Sequence, residues 1–187
     1  VAVLVPSYRE EPAVVRHTLL SAALQGHPAL RVVLLIDDPA PLLNEIPDSG
    51  LRAARALPGE VEAMVAGPAQ HFAAALNALP SDGATAAAAL AALHDEAAAR
   101  LQVWAADWPR GDHADDFFAA TVLGSFADEH HAAAANLRRA VPSPADPAAS
   151  RRLLLARFSA RLTSFERKTW VNLPHEPNKA MNLSAYI

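Results

Sequence analysis

VAVLVPSYREEP (Val1–Pro12) is the stretch on which the fold turns. Val1 to Val5 are uninterrupted apolar and rich in β-branched residues, the pattern of a strand buried on both faces of a parallel sheet. Pro6 stops the run, and Ser7-Tyr8-Arg9-Glu10 makes a polar turn. Pro12 follows Glu10 and Glu11 where a helix can start, at a position that needs no backbone N–H. Val15, Leu19, Ala22 and Ala23 then recur at helical spacing until Gly26-His27-Pro28. A second apolar run, RVVLLIDDP (Arg31–Pro39), predicts a second buried strand that ends on Asp37 and Asp38. Strand, helix and strand in so short a span predict a right-handed crossover joining two parallel strands. The C-terminal tips of such strands are where open α/β sheets take ligands.

Beyond Asp48 the alternation stops. From about Asp48 to about Glu166 the pattern reads as helical throughout. Leu51–Leu57 predicts a short helix broken by Pro58-Gly59, and Glu60–Leu79 a helix interrupted at Gly67-Pro68. After Ser81-Asp82 a long helix carries Leu90, Leu93, Ala97, Leu101, Trp104 and Trp108 at steps of three and four. Another runs to about Ala140, with Phe118, Val122, Phe126 and Leu137 on one side. Val141–Pro147 is a rigid loop, and a last helix carries Leu154, Phe158, Leu162 and Phe165. Strand character returns at Lys168–Leu173, before a loop and the start of a helix, AMNLSAYI. The fold class read from this is α/β: a partial parallel, Rossmann-like sheet interrupted by a large all-α insertion. Its parts are 1–47, the helical insertion 48–166, and 167–187, where the α/β domain resumes and is truncated.

Composition narrows the function classes. The 187 residues suffice for a real core. Hydrophobic residues make up 52%, much of it alanine, and 6% are aromatic, which favours helix packing. A net charge of −4 offers no general attraction to nucleic acid or anionic membranes. Without cysteine there are no disulfides or thiolate metal sites. No apolar run approaches the roughly twenty residues of a membrane helix. The start at Val1 and the finish at Ile187 read as cuts within a longer protein.

Asp37 and Asp38 could accept protons from a base or a ribose, or could simply form a turn, since Asp-Asp-Pro is good turn chemistry. The residues alone leave both open. Parallel pairing would bring the Ser7-Tyr8-Arg9-Glu10 turn beside them, with Tyr8 against a base and Glu10 accepting from it. Lys179, at a loop-to-helix junction in Asn178-Lys179-Ala180-Met181-Asn182, suits a diphosphate, helped by the amides of the helix start.

Three stretches in order, PSYRE, LLIDDP and KAMNL, make the chain resemble the inverting family 2 glycosyltransferases of GT-A fold, including the cellulose-synthase-like branch. The resemblance covers about Val1–Ala40 and Lys168–Ile187. It implies that Ser7, Tyr8 and Glu10 line the base pocket, that Asp37 or Asp38 bonds the base, and that Lys179 and Asn182 serve the nucleotide. It implies a nucleotide-sugar donor, a UDP-sugar, and a glycan or lipid acceptor. A divalent metal, Mg or Mn, is expected in the full-length parent. The family's Asp-x-Asp ligands and general base would lie downstream, leaving this fragment alone inactive. The parent would work at the cytoplasmic face of a membrane, touching it through segments absent here, and would not bind nucleic acid. Pro39-Ala40-Pro41 replaces the family's small Gly-Ser, and the insertion replaces a short connection.

Within the insertion, His94-Asp95-Glu96 and Asp128-Glu129-His130-His131 are metal-ligand residue types, but no Glu-x-x-His pair on two helices supports a bundle metal site, and His113-Ala114-Asp115-Asp116 reads as solvated surface at a helix start, where acids suit the macrodipole. The basic group Arg151, Arg152, Arg157, Arg161, Arg167 and Lys168 reads as a solvated face. The alternative function is a non-catalytic helical interaction module on an α/β stub. Another doubly wound nucleotide-binding enzyme is disfavoured, because no Gly-x-Gly-x-x-Gly or Gly-Lys-[Ser/Thr] loop follows the first strand.

Overall fold

The computed structural model describes residues 1–39, 48–81, 83–139, 147–176 and 178–187. Ala40, Pro41 and the Val141–Asp146 part of the expected loop lie outside them, as does the side chain of Lys179. The chain divides into two compact units. The first holds 1–23, 29–65 and 160–187, and the second holds 24–28 and 66–159.

The first unit is built on a three-stranded parallel sheet in the order β1 (Ala2–Ser7), β2 (Arg31–Ile36), β3 (Arg161–Glu166). The crossover helix α1 (Pro12–Ala23) joins β1 to β2. Central β2 is buried from Val32 to Ile36, which is why its sequence is uniformly apolar. Pro6 does not stop the strand as its position suggests: β1 runs through it to Ser7, because an edge strand tolerates a missing N–H. Val15, Leu19 and Leu20 of α1 are buried in this unit. The register aligns Ser7 with Ile36, and Ile36 with Glu166, so all three strands end level. A 3₁₀ turn (Arg167–Thr169) leaves β3, and helix α7 (Lys179–Tyr186) closes the unit.

Two sequence expectations need correction. The returning strand is Arg161–Glu166, not Lys168–Leu173, which holds the 3₁₀ turn and the loop after it. The helix expected to carry Leu162 and Phe165 ends earlier, at Arg157. Ser159 closes it, with its N–H and hydroxyl both donating to the Ala156 carbonyl. Leu154, Phe158, Leu162 and Phe165 keep helical spacing by coincidence. Pairing with β2 decides the local conformation of the last two.

The expected helix breaks at Pro58-Gly59 and Gly67-Pro68 are also absent. Helix α2 runs unbroken from Ser49 to Asn77. A proline inside a helix costs about 3 kcal/mol. Leu51, Leu57, Val61 and Val65 are all buried on the α2 stretch of the first unit. At about 1.5–3 kcal/mol for each buried side chain, their burial outweighs the cost of Pro58. Residues 66–77 of the helix belong to the second unit.

The second unit is helical: α3 (Gly83–Asp107), α4 (His113–Phe117), α5 (Gly124–Arg138) and α6 (Pro147–Arg157). A π-helical segment, Phe118–Leu123, joins α4 to α5. Asp112 caps α4, its Oδ1 accepting from the N–H groups of Ala114 and Asp115, while Asp115, expected on a solvated surface, is buried and its Oδ2 accepts from the Gly111 N–H at 2.7 Å. Leu90, Ala97, Leu101 and Trp108 of the expected stripe are buried, as are Phe118 and Phe126. Phe72 stacks on Phe158 at 5.5 Å between ring centroids.

Candidate functional site

The level strand ends create a polar edge in the first unit. Ser7, Arg9, Glu10 and Asp38 from the ends of β1 and β2, with Asp48, Gly50 and Ala54 of the α2 start, line a cleft of about 450 Å³. Its walls carry the carboxylates of Glu10, Glu11, Asp38 and Asp48 and the cation of Arg9. The β1–α1 turn is shaped by local bonds. Glu10 accepts from the Tyr8 N–H, and Asp38 Oδ2 accepts from the Arg9 N–H at 3.3 Å. Arg9 is held at φ +54°, in the left-handed region that side chains other than glycine's avoid.

Asp37 and Asp38 have separate roles. Asp38 is half-buried and lines the cleft. Asp37 is buried, and its carboxylate is engaged within the protein. Oδ1 accepts from Arg167 Nε at 3.1 Å and Nη2 at 2.5 Å, and Oδ2 accepts from the Asn178 N–H at 3.4 Å. Lys168 Nζ donates to the Asp37 carbonyl at 2.6 Å and lies 3.7 Å from its carboxylate. Arg167 also donates to the carbonyls of Pro174 and Glu176. Arg167 therefore clamps the loop before α7 onto the end of β2, and Lys168 ties the end of β3 to the Asp37 backbone.

Neither cation lies on the solvated basic face that the sequence suggests. Arg167 is 0% exposed and Lys168 6%, and Arg157, in the second unit, is 1%. The signal that would have located Arg167 and Lys168 is the end of β3. A basic pair just past a strand lies level with the aspartates of its neighbour.

The remaining site candidates divide in the same way. Ser7 is buried, lines the cleft, and accepts from the Asp37 N–H at 2.9 Å through its carbonyl. The Tyr8 ring lies against two cations, 5.2 Å from Lys168 Nζ and 5.7 Å from the Arg9 guanidinium. These contacts leave it half-buried beside the clamp. Asn182 is buried, and donates to the Leu35 carbonyl at 2.9 Å. Its Oδ1 has no hydrogen-bond partner. Lys179 opens α7, but the amides expected to help it are already used. The Asn178 side chain accepts from Ala180 and Met181, and Asp37 takes the Asn178 N–H.

Beyond the cleft lining, Arg55 of α2 makes a two-pronged pair with Glu166 at 2.8 and 2.7 Å. The hydrogen bond and charge of Glu166 raise the Arg55 pKa above its usual value. The pair joins α2, whose start lines the cleft, to the end of β3.

Among the described residues no group of three or more His, Asp or Glu is placed to hold a metal ion. None of their helices is long and apolar enough to cross a membrane. Compared with known proteins, the chain has no match among family models, curated proteins or solved structures.

Proposed function

We propose that the sheet-bearing unit is the nucleotide-holding part of a glycosyltransferase that uses a UDP-sugar donor. The observation that supports this most is the cleft. It lies at the C-terminal ends of adjacent parallel strands, takes walls from both, and has the size of a small-molecule site. Its four carboxylates suit a ligand that donates, such as a base imide N–H and ribose hydroxyls, and disfavour a phosphate within the cleft itself. Asp38 and Glu10 act as acceptors in this reading. Asp37 acts at one remove, by holding Arg167 and the loop before α7. Lys179 remains the candidate for the diphosphate, by its own charge rather than through helix amides. The acceptor glycan or lipid, and the membrane face at which the parent works, belong to the same proposal.

A divalent metal would stabilise the leaving diphosphate in the parent. Among the described residues no group of three or more His, Asp or Glu is placed to hold it.

Calorimetric titration of UDP and of pyrophosphate into the chain tests this reading. UDP is expected to bind, and pyrophosphate to bind more weakly, through Lys179 alone and outside the acidic cleft. Asp38→Asn is expected to weaken UDP about tenfold or more, the value of a hydrogen bond to a charged group. Unchanged UDP affinity in that variant removes Asp38 from the site. Absence of UDP binding overturns the reading.

A further inference from the structure

The helical unit holds a buried polar cluster that the nucleotide cleft does not use. His94 of α3 and His130 of α5 are fully buried, with their Nδ1 atoms 2.8 Å apart. Arg157, at the end of α6, donates from Nε to His130 Nε2 at 3.3 Å. Its other nitrogens donate to the Leu24 carbonyl and the Glu129 carboxylate. Its guanidinium lies 4.7 Å from the centre of the Phe126 ring. One side chain thus ties α6, α5 and the segment at Leu24 together.

The arginine dictates the protonation pattern. A guanidinium can only donate, so His130 Nε2 accepts and the ring proton sits on Nδ1. That N–H donates to His94 Nδ1, which places the His94 proton on Nε2. His94 Nε2 is buried and makes no hydrogen bond of ordinary geometry, although the Ser150 backbone lies close enough to act on the ring. Every site on the two rings is then assigned. A proton added to His94 sets two N–H groups against each other across 2.8 Å. A proton added to His130 Nε2 sets it against the Arg157 N–H.

The surrounding charges do little to accommodate such a proton. On α5, Glu129 is bound to Arg157, and His131 is exposed and lies 3.6 Å from Asp95. On α3, Asp95 is bound to Arg138, and Glu96 pairs with His71 of α2. On α6 the Ser150 backbone favours a charged His94, as Asp95 does, while Arg157 opposes it. Burial outweighs these and pushes His94 down. Burial, then the charge of Arg157, pushes His130 down to about 3.

We propose that the His94–His130–Arg157 cluster is an acid-release latch: neutral rings keep α6 and the Leu24 segment tied to α5, and a proton on either ring undoes the tie.

Two measurements on the full chain test the latch. Nitrogen–proton correlation spectra of the imidazoles are expected to show His130 protonated on Nδ1 and His94 on Nε2 at pH 7. Both rings are expected to stay neutral below pH 6 while α6 remains closed. Hydrogen-exchange protection factors in α6 are expected to fall about 100-fold per pH unit where opening takes up two protons. A folded His94→Phe/His130→Leu variant is expected to lose that dependence, and His131→Gln to keep it. A ring that protonates near pH 6.5 with α6 protection intact overturns the proposal, as does a folded double variant with the wild-type dependence. If the double variant fails to fold, the ring spectra of the wild-type chain decide.

Discussion

Arg167 Nε and Nη2 both donate to one oxygen of Asp37, Oδ1, and both side chains are withdrawn from solvent. The second oxygen is thereby left for the Asn178 N–H at the entry to α7. One carboxylate consequently joins the ends of β2 and β3 to the helix that follows them. An aspartate that looks like a ligand group in the sequence works here as the keystone of the site's frame.

Removing either partner strands a buried charge. Arg167→Met should destabilise the first unit by about 3–5 kcal/mol. The paired change Asp37→Leu/Arg167→Met should cost less than Arg167→Met alone. Native-state hydrogen exchange in β2 measures both. A double variant worse than Arg167→Met would contradict this account.

Arg9 should respond to backbone chemistry more than to its charge. At φ +54° a side chain other than glycine's costs about 1–2 kcal/mol. Arg9→Gly should therefore be more stable than Arg9→Ala by about 1 kcal/mol, because both lose the contact with Tyr8 and only glycine relieves the strain. Thermal unfolding of the two variants gives the difference.

Helix α2 should be open to stabilisation. A Cβ built on Gly59 or Gly67 meets nothing within 4 Å, and both residues lie inside the helix. Gly59→Ala and Gly67→Ala should each add about 0.5–1 kcal/mol. A loss of stability in either would mean that α2 is not continuous through these positions.

Acid should weaken the fold before most carboxylates titrate. His130 has a folded value of about 3, below its ordinary 6.5, so the unfolded chain binds this proton more readily. Its contribution is complete above pH 6.5 and is lost as pH falls from 6.5 toward 3. A single group of this kind removes about 1.4 kcal/mol per pH unit within that window, or about 2 kcal/mol by pH 5. His94 shifts in the same direction. Urea unfolding at pH 7.5, 6 and 5 should show a falling midpoint, and a constant midpoint would show that the imidazoles carry no such linkage.

Much of the first unit was legible in the residues. The runs Val1–Val5 and Arg31–Ile36 are strands, and the Val15–Leu19 face is helical, because burial on both faces of a sheet leaves a continuous apolar signature. The level ends that bring Glu10 and Asp38 to one cleft follow from parallel pairing, which those runs already implied. Tertiary structure alone decided the rest. β3 is weakly apolar and takes its register from β2, far away in the chain, so RLTSFE carries little local mark of a strand. Arg157, Arg167 and Lys168 look like surface in any local window, since the groups that neutralise or accept from them, such as Glu129, Leu24 and Asp37, are distant or on other elements. A buried charge is defined by its partner, and only the folded chain supplies one.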